Sequence, residues 1–203
     1  MDEYIPFSAA MLQTDLGQSF PSLIQIFQMK CVGCALETNK TNVRKWCKPP
    51  QDWIKINVDT TFWTNTGHIG AGCIIRDDQG QFLRAKASKL RGCATAREAE
   101  ALSFKEALTW TKEWRTNRCV FELDAKAVVE VIHGPQKQSN FHVIIEECRD
   151  ILKHFEEVLV IFDYRSANKV AHVLARAAYS MPDSMVWCNT APELICKLIA
   201  EEY

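Results

Sequence analysis

Trp53-Ile54-Lys55-Ile56-Asn57-Val58-Asp59 decides the fold. Ile54, Ile56 and Val58 occupy every second position, the period of a strand with one apolar face. The run ends on Asp59, a carboxylate beside apolar neighbours, where a lone charge is costly unless something compensates it. Two further acids stand at the ends of later segments, Glu100 near the start of a helical stretch and Asp124 at the close of another apolar run. Three acids delivered by three separate elements point to a shared metal site.

The rest of the core builds outward from that strand. Residues 68–76 read as a second strand, apolar enough to be central. Asp77-Asp78-Gln79-Gly80 reads as a turn, followed by a third strand from Gln81 to about Lys89. Three strands joined by short turns form an antiparallel meander. A helix from Ala96 to about Arg115, capped by Thr95, leads into a fourth strand at 118–124. That crossover predicts a fourth strand parallel to the first.

A short helix follows at 125–133, ended by Gly134-Pro135. The next helix carries Phe141, Ile144, Ile145, Cys148, Ile151, Leu152 and Phe155 at helical spacing. A fifth strand at 157–163, a helix from Asn168 to Tyr179 and a short helix after Pro192 complete the chain. The expected fold is α/β: a five-stranded mixed sheet, three antiparallel strands then two parallel ones, flanked by helices.

Residues 1–50 differ from this core. They hold Pro6, Pro21, Pro49 and Pro50 and show no clear strand, so we expect a loosely ordered appendage at 1–50 and one domain at 51–203. The start is acidic and lacks a basic segment followed by an apolar one, so no secretory signal is expected. No apolar run is long enough to span a membrane. Nine cysteines, several inside apolar periodic segments, read as reduced core thiols of an intracellular protein. Cys31, Cys34 and Cys47 resemble part of a zinc site, but no fourth ligand completes it nearby. The net charge of −1 lacks the basic excess of many nucleic-acid binders, so any such binding rests on a local patch.

Helix geometry selects among the acids. Glu98 and Glu100 lie about 200° apart around a helix axis, so both cannot face the sheet. The row through Glu100 continues with Phe104, Ala107, Leu108 and Thr111; the row through Glu98 continues with Leu102, Lys105, Glu106 and Thr109. Glu100 therefore faces inward and Glu98 faces water. Asp124 alone reads equally as a helix N-cap. Beside Asp59 on a neighbouring parallel strand it reads differently: two carboxylates that close do not both stay ionised without a cation. Oxygen donors favour Mg²⁺ or Mn²⁺.

Asn57-Val58-Asp59, Ala99-Glu100-Ala101-Leu102, Glu122-Leu123-Asp124 and Asn168-Lys169-Val170-Ala171-His172-Val173-Leu174-Ala175-Arg176 together resemble type 1 ribonuclease H. Lys48-Pro49-Pro50-Gln51-Asp52-Trp53 and Trp187 with Ala191-Pro192-Glu193-Leu194 resemble the edges of a plant subfamily related to the reverse transcriptases of non-LTR retroelements.

The resemblance implies a divalent-metal-dependent endonuclease acting on the RNA strand of RNA/DNA hybrids. Asp59, Glu100 and Asp124 would hold two Mg²⁺ ions, with Mn²⁺ as a substitute, and Arg165, Asn168, Thr60 and Thr61 would meet the substrate. Nucleic acid is the expected partner and a monomer the expected state.

The family's fourth acid position is often Asp and here is His172. With Lys169 and Arg176 around it on the helix, His172 falls on a polar face, as a surface histidine or as a ligand or positioning group. Thr60-Thr61 replace the usual Gly-Ala/Ser after the first aspartate, and Ala125 stands where Ser is common. These departures favour a second reading, a retroelement-derived domain that keeps the fold and binds nucleic acid with little catalysis.

Overall fold

The computed structural model describes residues 44–92, 95–114, 116, 118–135 and 139–202. Cys31, Cys34 and most of the expected appendage lie outside the described residues. The elements in chain order are β1 (Ile54–Trp63), β2 (His68–Arg76), β3 (Phe82–Arg91), α1 (Ala96–Lys112), β4 (Arg118–Leu123), α2 (Lys126–His133), α3 (Asn140–Leu152), β5 (Glu157–Phe162), α4 (Lys169–Ala177), β6 (Met185–Cys188) and α5 (Glu193–Glu201). Short 3₁₀ turns at Arg165–Ala167 and Ala178–Ser180 flank α4.

The sheet has the order β5-β4-β1-β2-β3-β6. β1, β2 and β3 form the antiparallel meander, and β4 and β5 run parallel to β1. The sheet has six strands where five were expected. β6 is four residues long, too short for alternation to announce it, and it pairs antiparallel with β3. β1 also runs on past Asp59 to Trp63, because Thr60, Thr61, Phe62 and Trp63 all favour extended backbone. Asp59 is therefore mid-strand rather than terminal.

Both faces of the central strands are covered. Ile56, Val58, Cys73, Ile75 and Phe121 pack against Phe104 and Leu108 of α1 and Ile145 and Cys148 of α3. On the other face Ile74, Ala85 and Ala87 meet Val170, Ala171 and Leu174 of α4 and Ile195 of α5. α4 rides directly on β2: a Cβ at Gly72 would lie 2.2 Å from the Ala171 carbonyl oxygen, and one at Gly70 would lie 2.0 Å from that of Ala175. Glycine at these two positions lets the helix backbone touch the sheet.

The stretch 44–50, expected within the loose appendage, packs against this second face. Trp46 is buried. Its Nε1 donates to Asn57 Oδ1 at 2.8 Å, and the Arg76 guanidinium stacks 3.6 Å from its ring centroid. Beneath it Lys55 Nζ and Asn57 Nδ2 each donate to Glu122 at 2.7 Å, and Arg76 bonds Asn57 and Glu202. No helix among the described residues is long and apolar enough to cross a membrane.

Candidate active site

The acids emerge where β1 and β4 part company. The last parallel pair is Val58 with Leu123, so Asp59 and Asp124 follow it side by side. Asp59 is 6% exposed. Glu100 arrives from the first turns of α1. That helix begins in a capping box: Glu98 N–H donates to Thr95 Oγ1 at 3.2 Å, and Thr95 N–H donates to the Glu98 carboxylate at 3.0 Å. Glu98 is thus a helix cap, where the sequence suggested a plain surface charge. Glu100 lines a cleft of about 190 Å³ together with Asp59, Thr60, Asp124, Ala125 and Arg165.

This cleft is electrostatically unbalanced. Burial, the charge of Asp124 and a hydrogen bond shared with Asp124 push the Asp59 carboxyl up to about 8. Burial and Asp124 also lift Glu100, against a smaller pull from Arg97. Arg165, at the rim, is the cation that draws Asp59 the other way.

His172 stands at the heart of this arrangement and not on a free polar face. Its Nδ1 lies 2.6 Å from Asp59 Oδ2, and its side chain keeps 23% of its exposure. Burial, Arg165 and Arg176 lower its proton affinity. Both shifts, Asp59 raised and His172 lowered, work against a charged pair at this contact. One Arg165 nitrogen lies 3.0 Å from both imidazole nitrogens. A single donor cannot point at two lone pairs that diverge around one ring, so Arg165 is packed on the imidazole rather than bonded to one nitrogen.

Asn168 ties the site to the sheet. Its Nδ2 donates to the Val58 carbonyl at 2.8 Å and lies 3.5 Å from Asp124 Oδ1. The sequence offered Asn168 as a substrate contact, but the side chain is buried and serves the backbone between the two aspartates. Thr60 lines the cleft, and the Thr61 hydroxyl is buried with no hydrogen-bond partner among the described residues.

The donor set fits a hard divalent cation: carboxylate oxygens line the cleft, and the raised Asp59 records its burial and the nearby charge of Asp124, both of which a cation would offset. Among the described residues no three acid, His or Cys side chains are gathered around one point tightly enough to hold an ion. The carboxylates share a cleft without a closed cage.

Sequence reasoning missed Trp46, Lys55, Glu122 and Arg76, which support the strands beneath the acids. The signal available was the identity of the alternate positions of β1: Lys55 and Asn57 share the side of Asp59, not that of Ile56.

This sheet order with an acid cleft at the split between β1 and β4 is that of a ribonuclease H-like domain. The sequence pattern of the reverse transcriptase-like family matches residues 57–178, and the chain belongs to that family. A putative ribonuclease H protein of Arabidopsis thaliana is 25% identical over 158 residues, 77% of this chain. The chain spans 25% of the length of that relative.

Among solved structures, ribonuclease H1 of Halobacterium salinarum superposes with a TM-score of 0.58 at 18% identity, over 63% of this chain and 98% of that one. LC11-RNase H1 in complex with an RNA/DNA hybrid gives 0.56 at 18% identity, over 63% and 96%. These likenesses establish the fold.

Proposed function

We propose that this chain is a divalent-metal-dependent endonuclease that hydrolyses the RNA strand of an RNA/DNA hybrid. The observation that carries the reading is the convergence of Asp59, Glu100 and Asp124 on one cleft, where burial and the charge of Asp124 raise both Asp59 and Glu100. A structure built only for stability pairs such charges. A relative of the same fold is described with an RNA/DNA hybrid bound, which supports the choice of substrate.

In this reading Asp59, Asp124 and Glu100 would hold Mg²⁺ or Mn²⁺. When bound, two such ions supply an activated water and stabilise charge on the leaving oxygen. His172 orients Asp59 through its 2.6 Å contact, and Asn168 fixes the spacing of the aspartates through the Val58 carbonyl. Arg165 offers its charge to the scissile phosphate at the rim. Thr60 presents a hydroxyl to the strand above it, a group suited to a ribose 2′-hydroxyl.

A labelled hybrid incubated with the full chain and either metal tests this. Cleavage leaving 5′ phosphate, stronger with Mn²⁺ than with Mg²⁺ and abolished in Asp59→Asn, is the expected result. Cleavage no faster than that of Asp59→Asn would refute it.

One observation favours the second reading, a nucleic-acid-binding domain of low activity: an imidazole engages Asp59 where the resemblance expects a fourth carboxylate. His172→Asp separates the two. A rise in Mg²⁺-dependent cleavage identifies this position as the missing ligand; an unchanged or lower rate assigns His172 to positioning alone.

A further inference from the structure

A second feature extends away from the acid cleft along the face that carries α4. Asp59, Thr61 and Trp63 point to one side of β1 at alternate positions. His172, Arg176 and Tyr179 follow spacings of four and three along α4 and the turn after it, which places them on one stripe. The two rows converge on an aromatic and cationic cluster. The Trp63 and Tyr179 rings lie 4.6 Å apart. Lys89 Nζ sits 4.9 Å from the Tyr179 ring centroid and donates to the Tyr179 carbonyl. Arg91 Nε lies 2.8 Å from His68 Nε2. Tyr179 remains 43% exposed, and Arg91 and Arg176 are exposed.

The cations of this track stand outside the ion pairs of the fold. Among the described residues no carboxylate forms an ion pair with Arg165, Arg176, Lys89 or Arg91. Elsewhere Lys86, Lys105, Arg118, Arg149 and Lys153 have acidic partners, while Arg84, Arg97 and Lys112 form no ion pair among the described residues; what sets this row apart is its alignment from the acid cleft to the Trp63–Tyr179 cluster. Asp183 lines the neighbouring groove with Lys89 and Arg91, without pairing with either. In a chain of net charge −1, an aligned row of mostly exposed cations leading from an acid cleft suits an anion of matching length.

We propose that this track binds the sugar–phosphate backbone of the hybrid on one side of the acid cleft. The inference rests on the nuclease reading for the identity of its ligand. Asp59 and Trp63 are four residues apart on an extended strand, about 13 Å. That matches roughly four base pairs of duplex at about 3.4 Å each. Arg176 and Arg91 contact phosphates, and the Tyr179 hydroxyl donates to a phosphate or sugar oxygen, the kinds of contact that set register without reading sequence. The modest number of cations predicts a binding that salt weakens steadily rather than abolishes.

The test is the affinity of the full-length chain for a fluorescein-labelled RNA/DNA hybrid, read by anisotropy in EDTA across a salt series. Arg91→Ala combined with Arg176→Ala should weaken binding at least fivefold and flatten the log–log salt slope by about 0.9 per lost contact. Arg91→Lys, which keeps the charge, should keep the slope, and Lys197→Ala on α5 should change neither. Tyr179→Phe should weaken binding without altering the slope.

A double variant that binds as the wild type, a slope that does not move, or a wild type with no affinity for the hybrid would each overturn the track. Because no metal is present, a chain that bound through the track yet never cut would retain this inference while losing the nuclease reading.

Discussion

Lys55, Asn57 and Asp59 share one face of one strand at successive alternate positions, yet they live under opposite electrostatic rules. Around Lys55 and Asn57 the charges balance. Lys55 and Arg76 are met by Glu122 and Glu202, Asn57 bridges them, and Trp46 closes the network over. Two residues further on, Asp59 faces Asp124 and Glu100 with Arg165 only at the rim. The first region is what a fold does with charges it must bury; the second is a charge imbalance preserved by the first. The Asn57–Glu122 bond joins β1 to β4 at a register two residues below the acids.

The largest expected effect breaks this contrast at Glu122 of β4 and at Asp124 just past the end of that strand. Glu122→Ala breaks the buried ion pair with Lys55 and should lower stability by about 3–5 kcal/mol, the usual penalty for removing one partner of such a pair. Asp124→Asn removes a repulsion instead, so its stability in urea should equal or exceed that of the wild type while hybrid cleavage falls to the level of Asp59→Asn. Equal destabilisation by both substitutions would erase the distinction between the regions.

Gly72→Ala strikes the joint between them. Gly72 pairs with Asp59 across β1 and β2 and lies under α4, where a Cβ would also come within 2.4 Å of Ala175 N. The helix must lift, at a cost of about 1–3 kcal/mol for overpacking. His172, one residue past Ala171, is carried off Asp59. A loss of Mn²⁺ affinity by calorimetry, larger than that of an equally destabilised Leu152→Ala control in α3, is the expected result.

The two regions were unequally legible in the sequence. The acids announced themselves because each closes or opens a periodic element: alternation sets the side of Asp59, and the 3.6 period turns Glu100 inward. The strand order followed from the crossover rule and the short turns. The balanced network left little trace, because its bonds join residues far apart in the chain, Lys55 to Glu122 and Arg76 to Glu202. A lysine in a strand reads as solvent-facing until its partner is known. Trp46 sits before a Pro-Pro pair that looked like a boundary, yet its ring is part of the domain. His172 was placed by α4's contact with Gly72, a relation between two elements that periodicity within either one does not reveal.

Trp46→Phe sharpens the contrast with a smaller change. The ring over Arg76 survives, and only the N–H to Asn57 is lost. Arg76 still donates to the same Asn57 oxygen, so the loss should be about 1 kcal/mol, that of one ordinary hydrogen bond. Metal affinity should hold within twofold. A large drop in affinity at this small cost in stability would show that Trp46 tunes the acid cleft directly and does more than cover the network.

The smallest effect concerns Glu202, the edge of the balanced network. Burial lifts its carboxyl above the ordinary glutamate value, against the downward pull of Arg76. One of its oxygens bonds Arg76 while the other, Oε1, is buried without a hydrogen-bond partner among the described residues. A raised value means the folded chain holds this proton more tightly than the unfolded chain. The associated stability is present in full below the unfolded value and is lost as pH rises through the folded one. Glu202→Gln, which mimics the protonated form, should therefore flatten that segment of the stability–pH curve with little change at its acidic end. A curve unchanged by the substitution would mean that Arg76 compensates Glu202 fully and that the network is balanced out to its rim.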